Sequence, residues 1–148
     1  MDWLIDTNVL FRLAEPGQTQ CQEALAALNT LHDSDQRLCI VPQNLYEYWV
    51  VATRPRETNG MGLALDQACN DVRDLCEMFV FLRDERTVFS CWQQLVAEVG
   101  VIGKQSHAAR LVAAMHRHEL THLLTFNNAD FKRYPDITVM TPVESLLV

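Results

Sequence analysis

Apolar positions along this chain fall into blocks of two kinds. Short unbroken runs occur at Trp3-Leu4-Ile5, Leu38-Cys39-Ile40-Val41, Phe79-Val80-Phe81-Leu82, Leu123-Leu124-Thr125 and Ile137-Thr138-Val139. They are too brief for helices and apolar on both faces, which predicts strands buried in a parallel sheet. Between them lie longer stretches with apolar residues at helical spacing: Gln18 to about Asp33, Pro42 to Ala52, Asp66 to Met78, Val88 to Val99 and Ser106 to Met115. Strands separated throughout by helices predict a three-layer α/β/α sandwich on a mostly parallel central sheet. No repeat or linker interrupts the pattern, so residues 1–148 are expected to form one domain.

Several elements carry more detailed expectations. Thr7 and Asn8 are placed to cap a first helix through Val9, Leu10 and Leu13. In the second, Cys21, Leu25, Leu28 and Leu31 form the expected buried stripe. The helix from Pro42 is apolar nearly all round, with Val50 and Val51 flanking Glu47, and is expected to be largely buried. Glu47 then either needs a cation or donors, or reaches out to solvent. The breaker-rich stretch Arg54 to Gly62 joins two helices into a hairpin that projects from the sheet as a place for partner contact. Beyond Pro142 a helical turn or loose end is expected.

Composition narrows the class. A chain of 148 residues, 49% hydrophobic and 21% charged, is expected to be a soluble globular domain. The longest apolar runs are far short of a membrane span, and the amino end lacks a signal-peptide layout, which predicts a cytoplasmic location with no membrane partner. Five cysteines without a Cys-x-x-Cys pair predict free thiols. His116, His118 and His122 do not share one helical face, which argues against a zinc site. A net charge of −7 argues against nucleic-acid binding by bulk electrostatics. It is compatible with a nucleic-acid enzyme whose carboxylates hold divalent cations.

The candidate chemistry gathers at strand ends. Asp6 closes the first strand and stands before a helix, at the edge where open α/β sheets bind ligands; a capping role is equally compatible. Asp6-Thr7-Asn8 and Thr125-Phe126-Asn127-Asn128-Ala129-Asp130 are expected at the same edge, with Glu47 on a helix after another strand there. Carboxylates brought together need hard cations between them, which suits Mg²⁺ or Mn²⁺ and the hydrolysis of phosphodiesters. Arg12, Arg54, Arg56, Lys104, Arg110, Lys132 and Arg133 are candidates to touch substrate phosphates or to pair with acidic groups, with Lys104 and Arg110 foremost for contacts at this site.

Asp6-Thr7-Asn8, Asn44-Leu45-Tyr46-Glu47 and Leu124-Thr125-Phe126-Asn127 with Asp130-Phe131, taken together and in order, resemble the PIN domain, and in particular the VapC-type toxins of toxin–antitoxin pairs. The resemblance covers essentially the whole chain. It implies a magnesium- or manganese-dependent endoribonuclease in which Asp6 and Glu47 hold the metal directly or nearly so and Asp130 is a further acidic member of the metal site, often acting through water. Thr7, Asn8, Thr125 and Asn127 would orient ligands. It also implies a cognate antitoxin, a homodimer, and contact with operator DNA only through the antitoxin. One position departs from the pattern. Where such toxins carry a further carboxylate the segment Ser106-His107-Ala108-Ala109-Arg110 has Ala108, which a methyl group cannot replace. The expectation is an impaired or inactive ribonuclease; the alternative is a catalytically silent module that binds an antitoxin.

Overall fold

The fold is built outward from β1 (Asp2–Ile5), whose side chains alternate between two cores. In the computed structural model, which describes residues 1–148, β1 pairs with β2 (Arg37–Ile40) on one side and with β4 (His122–Leu124) on the other. β3 (Val80–Phe81) and β5 (Thr138–Met140) form the edges, giving a sheet of order β3-β2-β1-β4-β5 in which every pair is parallel. Trp3 and Ile5 pack on one face against α1 (Thr7–Leu13), α2 (Thr19–Asp33), α3 (Pro42–Thr53) and α4 (Leu65–Met78). Leu4 and Cys39 pack on the other against α5 (Arg86–Val99) and α6 (Gln105–Arg117). A last turn, α7 (Pro142–Ser145), leans on α2. The expected three layers and sheet are therefore present, and no helix is long and apolar enough to cross a membrane.

The differences from expectation have local causes. The run Phe79 to Leu82 is a strand only at Val80 and Phe81, both exposed; as an edge it buries neither face, and its shortness limits pairing with other chains. α3 is not buried all round. Leu45, Tyr48 and Ala52 form its inward stripe, while Tyr46 and Val50 are 63% and 55% exposed. Leu25 of α2 is likewise exposed, and the buried stripe of that helix is Cys21, Ala24, Ala27, Leu28 and Leu31. The first helix is capped by Asp6, not by Thr7 or Asn8. All five cysteines are free.

The stretch Arg54 to Gly62 is tied back rather than free. The Met61 and Leu63 N–H groups donate to the Val51 and Ala52 carbonyls at 2.8 Å each, and Met61 is buried. Gly60 lies so close to Arg54 that an added Cβ would overlap the Arg54 carbonyl oxygen. Gly60→Ala should therefore cost roughly 2 kcal/mol or more in urea denaturation. Gly17→Ala, where open space surrounds the position, tests only the cost of its positive φ and should lose less.

Candidate functional site

Parallel sheets bind ligands beyond the carboxyl ends of their strands, where the strand order reverses. Here that point lies between β1 and β4, and the Asp6 N–H donates to the Leu124 carbonyl at 2.9 Å, fixing the two strand ends side by side. Asp6 is buried, and both of its oxygens are engaged. Oδ1 accepts from the Thr7 N–H at 2.7 Å and Oδ2 from the Thr125 hydroxyl at 2.7 Å.

Two threonines organise the groups around it. Thr125, fully buried, donates to Asp6 while accepting from Asn8 Nδ2 at 3.0 Å and the Asn127 N–H at 3.0 Å. Thr7 donates to Glu47 Oε1 at 2.9 Å while accepting from Asn44 Nδ2 at 3.2 Å. Each hydroxyl has a single hydrogen, and feeding its oxygen with amide donors leaves that hydrogen for a carboxylate. Asn127 Nδ2 donates to Asp130 Oδ2 at 2.6 Å.

Asp6, Asn8, Glu47, Lys104, Ala108, Asn127 and Asp130 all line one open cleft of about 410 Å³, with Gln105, His107, Leu111 and Phe131 completing its wall. The sequence-derived candidates are thus brought together, with Thr7 and Thr125 behind them and Ala108 on the cleft surface. Of the basic candidates only Lys104 lines the cleft; Arg12, Arg54, Arg56, Lys132, Arg133 and Arg110 do not. Arg110 lies in a neighbouring cavity, donating to Gln43 Oε1 at 3.0 Å and Asp84 Oδ2 at 3.3 Å. One helical turn beyond Ala108 would have been needed to keep it on the cleft side.

Two residues were missed. Asn44 is fully buried and joins the Val41 N–H to Thr7; Gln43 is buried and donates to the His107 carbonyl at 2.8 Å, tying α3 to α6. The available signal was a pair of amides in the first turn of an otherwise apolar helix.

Burial raises the Asp6 pKa from 3.8 to about 6, against the lowering effect of the Thr125 and Thr7 hydrogen bonds; the nearby charges of Glu47 and Asp130 raise it further. The donor set facing the cleft is all oxygen, as Mg²⁺ and Mn²⁺ prefer. No three His, Cys, Asp or Glu side chains close into a ligand cage. The set fits a hard cation that keeps several waters and takes only one or two carboxylates, which is how Mg²⁺ is commonly held.

The fold, an all-parallel five-stranded sheet between helical layers, is similar to the PIN-like fold of VapC-type toxins. VapBC2 from Rickettsia felis, bound to a DNA fragment from its promoter, matches with a TM-score of 0.72 at 14% identity over 95% of this chain and 98% of that one. DNA-bound VapBC from Salmonella typhimurium gives 0.71 at 17% identity, over 96% and 98%. Mycobacterium tuberculosis VapC20, described as a toxin that cleaves the sarcin–ricin loop, gives 0.60 at 14% identity, over 87% and 92%. At these identities the likeness is one of fold. No family model and no curated protein matches the sequence.

Because the folded state binds the Asp6 proton more tightly than the unfolded chain, the linked stability is full below pH 3.8 and is lost as pH rises through about 6. A shift of this size corresponds to about 3 kcal/mol. In EDTA, Asp6→Asn should therefore be more stable than the parent at pH 8, with the gain gone by pH 4. Urea denaturation at both pH values measures it, and a variant no more stable at pH 8 would contradict the burial argument.

Proposed function

We propose that this chain is a toxin-type endoribonuclease that hydrolyses RNA with Mg²⁺ or Mn²⁺ and is impaired by Ala108. The observation that carries the reading is the buried Asp6, held by Thr7 and Thr125 at the switch point and facing one cleft with Glu47 and Asp130. In this reading Asp6 and Glu47 hold the cation, and Asp130 acts through water. The cation would supply the Lewis acidity that makes water a nucleophile near neutral pH and offset charge on the leaving oxygen. The chain's own residues position these groups. Thr7 and Asn44 fix Glu47; Thr125, Asn8 and Asn127 fix the strand end that carries Asp6; Lys104 is the one Lys or Arg lining the cleft and suits a phosphate.

Ala108 sets the level of activity. Its position on the cleft surface leaves a methyl where a carboxylate would add an oxygen ligand, so both metal affinity and turnover should be low. The partners in this reading are a cognate antitoxin, a second copy of the chain, and operator DNA reached through the antitoxin. The fold neighbours described as VapBC complexes and as DNA-bound support the antitoxin most directly. The setting is the cytoplasm.

The test is cleavage of a labelled structured-RNA pool with Mn²⁺ by this chain and by Ala108→Asp. Cleavage should rise by two orders of magnitude or more in the Asp form, on the scale at which single electrostatic groups act in catalysis. If neither form cuts and neither is thermally stabilised by Mn²⁺, the chain is a silent antitoxin-binding module. If both cut equally, position 108 is not the missing ligand.

A further inference from the structure

A second cavity of about 410 Å³ adjoins the acidic cleft, and His107 lines both. Its character is different. Phe89 and Trp92, less than one turn apart on α5, place their ring centroids 5.9 Å apart at 39°, over the buried Val88. Phe89 is 57% exposed. The Trp92 indole N–H already donates to the Ser106 carbonyl at 2.9 Å, so the ring offers a contact surface, not a free donor. The polar edge is made by Asp84, Glu85, Ser106, His107 and Arg110.

The charges of this cavity are paired. Arg110 is joined to Asp84, and Glu85 to Arg117. No unpaired Lys or Arg lines it, so a phosphate finds no counter-charge there. An aromatic wall, a neutral floor and a polar edge suit a flat, uncharged ligand with hydrogen-bonding groups on its rim, which describes a nucleobase. The shared His107 places that ligand one wall away from the carboxylates.

We infer that this cavity takes one unstacked base of a single-stranded RNA segment, beside the backbone that lies in the acidic cleft. The inference rests on the nuclease reading for what occupies the cleft, but the cavity can be tested separately. It assigns base selection to α5 and to the start of α6, and gives Phe89 a role in specificity. Arg110 then shapes the edge of the base site through Gln43 and Asp84 and does not contact the scissile phosphate.

The experiment is titration of the ¹⁵N-labelled chain in EDTA with each of the four nucleoside 5′-monophosphates and with ribose 5-phosphate, reading the Trp92 indole signal. The fully buried Trp3 serves as an internal reference. Saturable shifts at Trp92 that differ among the bases and are absent with ribose 5-phosphate are expected. Phe89→Ala should weaken them roughly tenfold, as removal of a stacking ring does, and Phe89→Tyr should restore them. No shift with any nucleotide, or an equal shift with ribose 5-phosphate, would overturn the base site. The two readings fail separately: RNA cleavage by Ala108→Asp without a nucleotide shift at Trp92 sinks the base site alone. Base-dependent shifts without any cleavage sink the nuclease alone.

Discussion

A carboxylate almost cut off from water at the end of the central strand has to be compensated, and much of this molecule is arranged by that need. Asp6 receives one donor from its own helix start and one from Thr125, 119 residues away. The second exists only because β4 pairs with β1 in the register that sets Ile5 opposite Leu124. A slip of one residue would turn Thr125 to the other face and leave Oδ2 bare. The compensation is also incomplete: with both oxygens engaged the group still titrates near 6, because burial outweighs the two hydrogen bonds and neighbouring carboxylates add to it. What remains is a demand for positive charge at one place in the fold.

The same economy of donors extends to the walls of the cleft. Asn44 joins the N–H of Val41, at the end of β2, to Thr7, and Thr7 to Glu47, so the second carboxylate is oriented by the residue that follows the first. Gln43, its neighbour in the same turn, holds the His107 carbonyl and Arg110 and so sets α6 against α3 across the sheet edge. None of these hydrogen bonds involves the side chain at 108. A methyl there changes the chemistry of one wall while the other groups keep their partners.

Much of this was legible in the residues. The strand cores at Trp3-Leu4-Ile5, Leu38 to Val41 and Leu123-Leu124 were plain because parallel strands buried on both faces are apolar without alternation. The run Phe79 to Leu82 looked the same and was not, since apolar composition does not distinguish a central strand from an edge. In α3, an apolar composition nearly all round implied burial on every side, which Tyr46 and Val50 do not have; which face meets the sheet is a tertiary fact. The polar cluster could be assembled from strand ends since Asp6 and Thr125 each follow apolar residues directly and Asn127 lies two residues beyond Thr125. Asn44 and Gln43 were obscured by a reading that searched for charge, while their work is done by neutral amides. Two residues along α6 from Ala108, Arg110 stands about 200° round the helix, so spacing alone already turns it from the cleft; what spacing could not supply is its partner Asp84, 26 residues away.

The electrostatics of the two adjoining sites fit one division of labour. The cleft sets Asp6, Glu47 and Asp130 against Lys104 alone, so a polyanion entering it without a cation meets net repulsion. Under the proposed function, cation and RNA must then bind cooperatively, each raising the other's affinity by the same factor, as linkage requires. The cavity at Phe89 and Trp92, with its charges paired, needs no cation and would contribute the same base contact whether or not metal is present. Ala108 shifts the balance between them. Under that proposal, one carboxylate fewer would weaken the attraction for metal and also the repulsion of metal-free RNA, and would leave more of the binding to the aromatic cavity and Lys104.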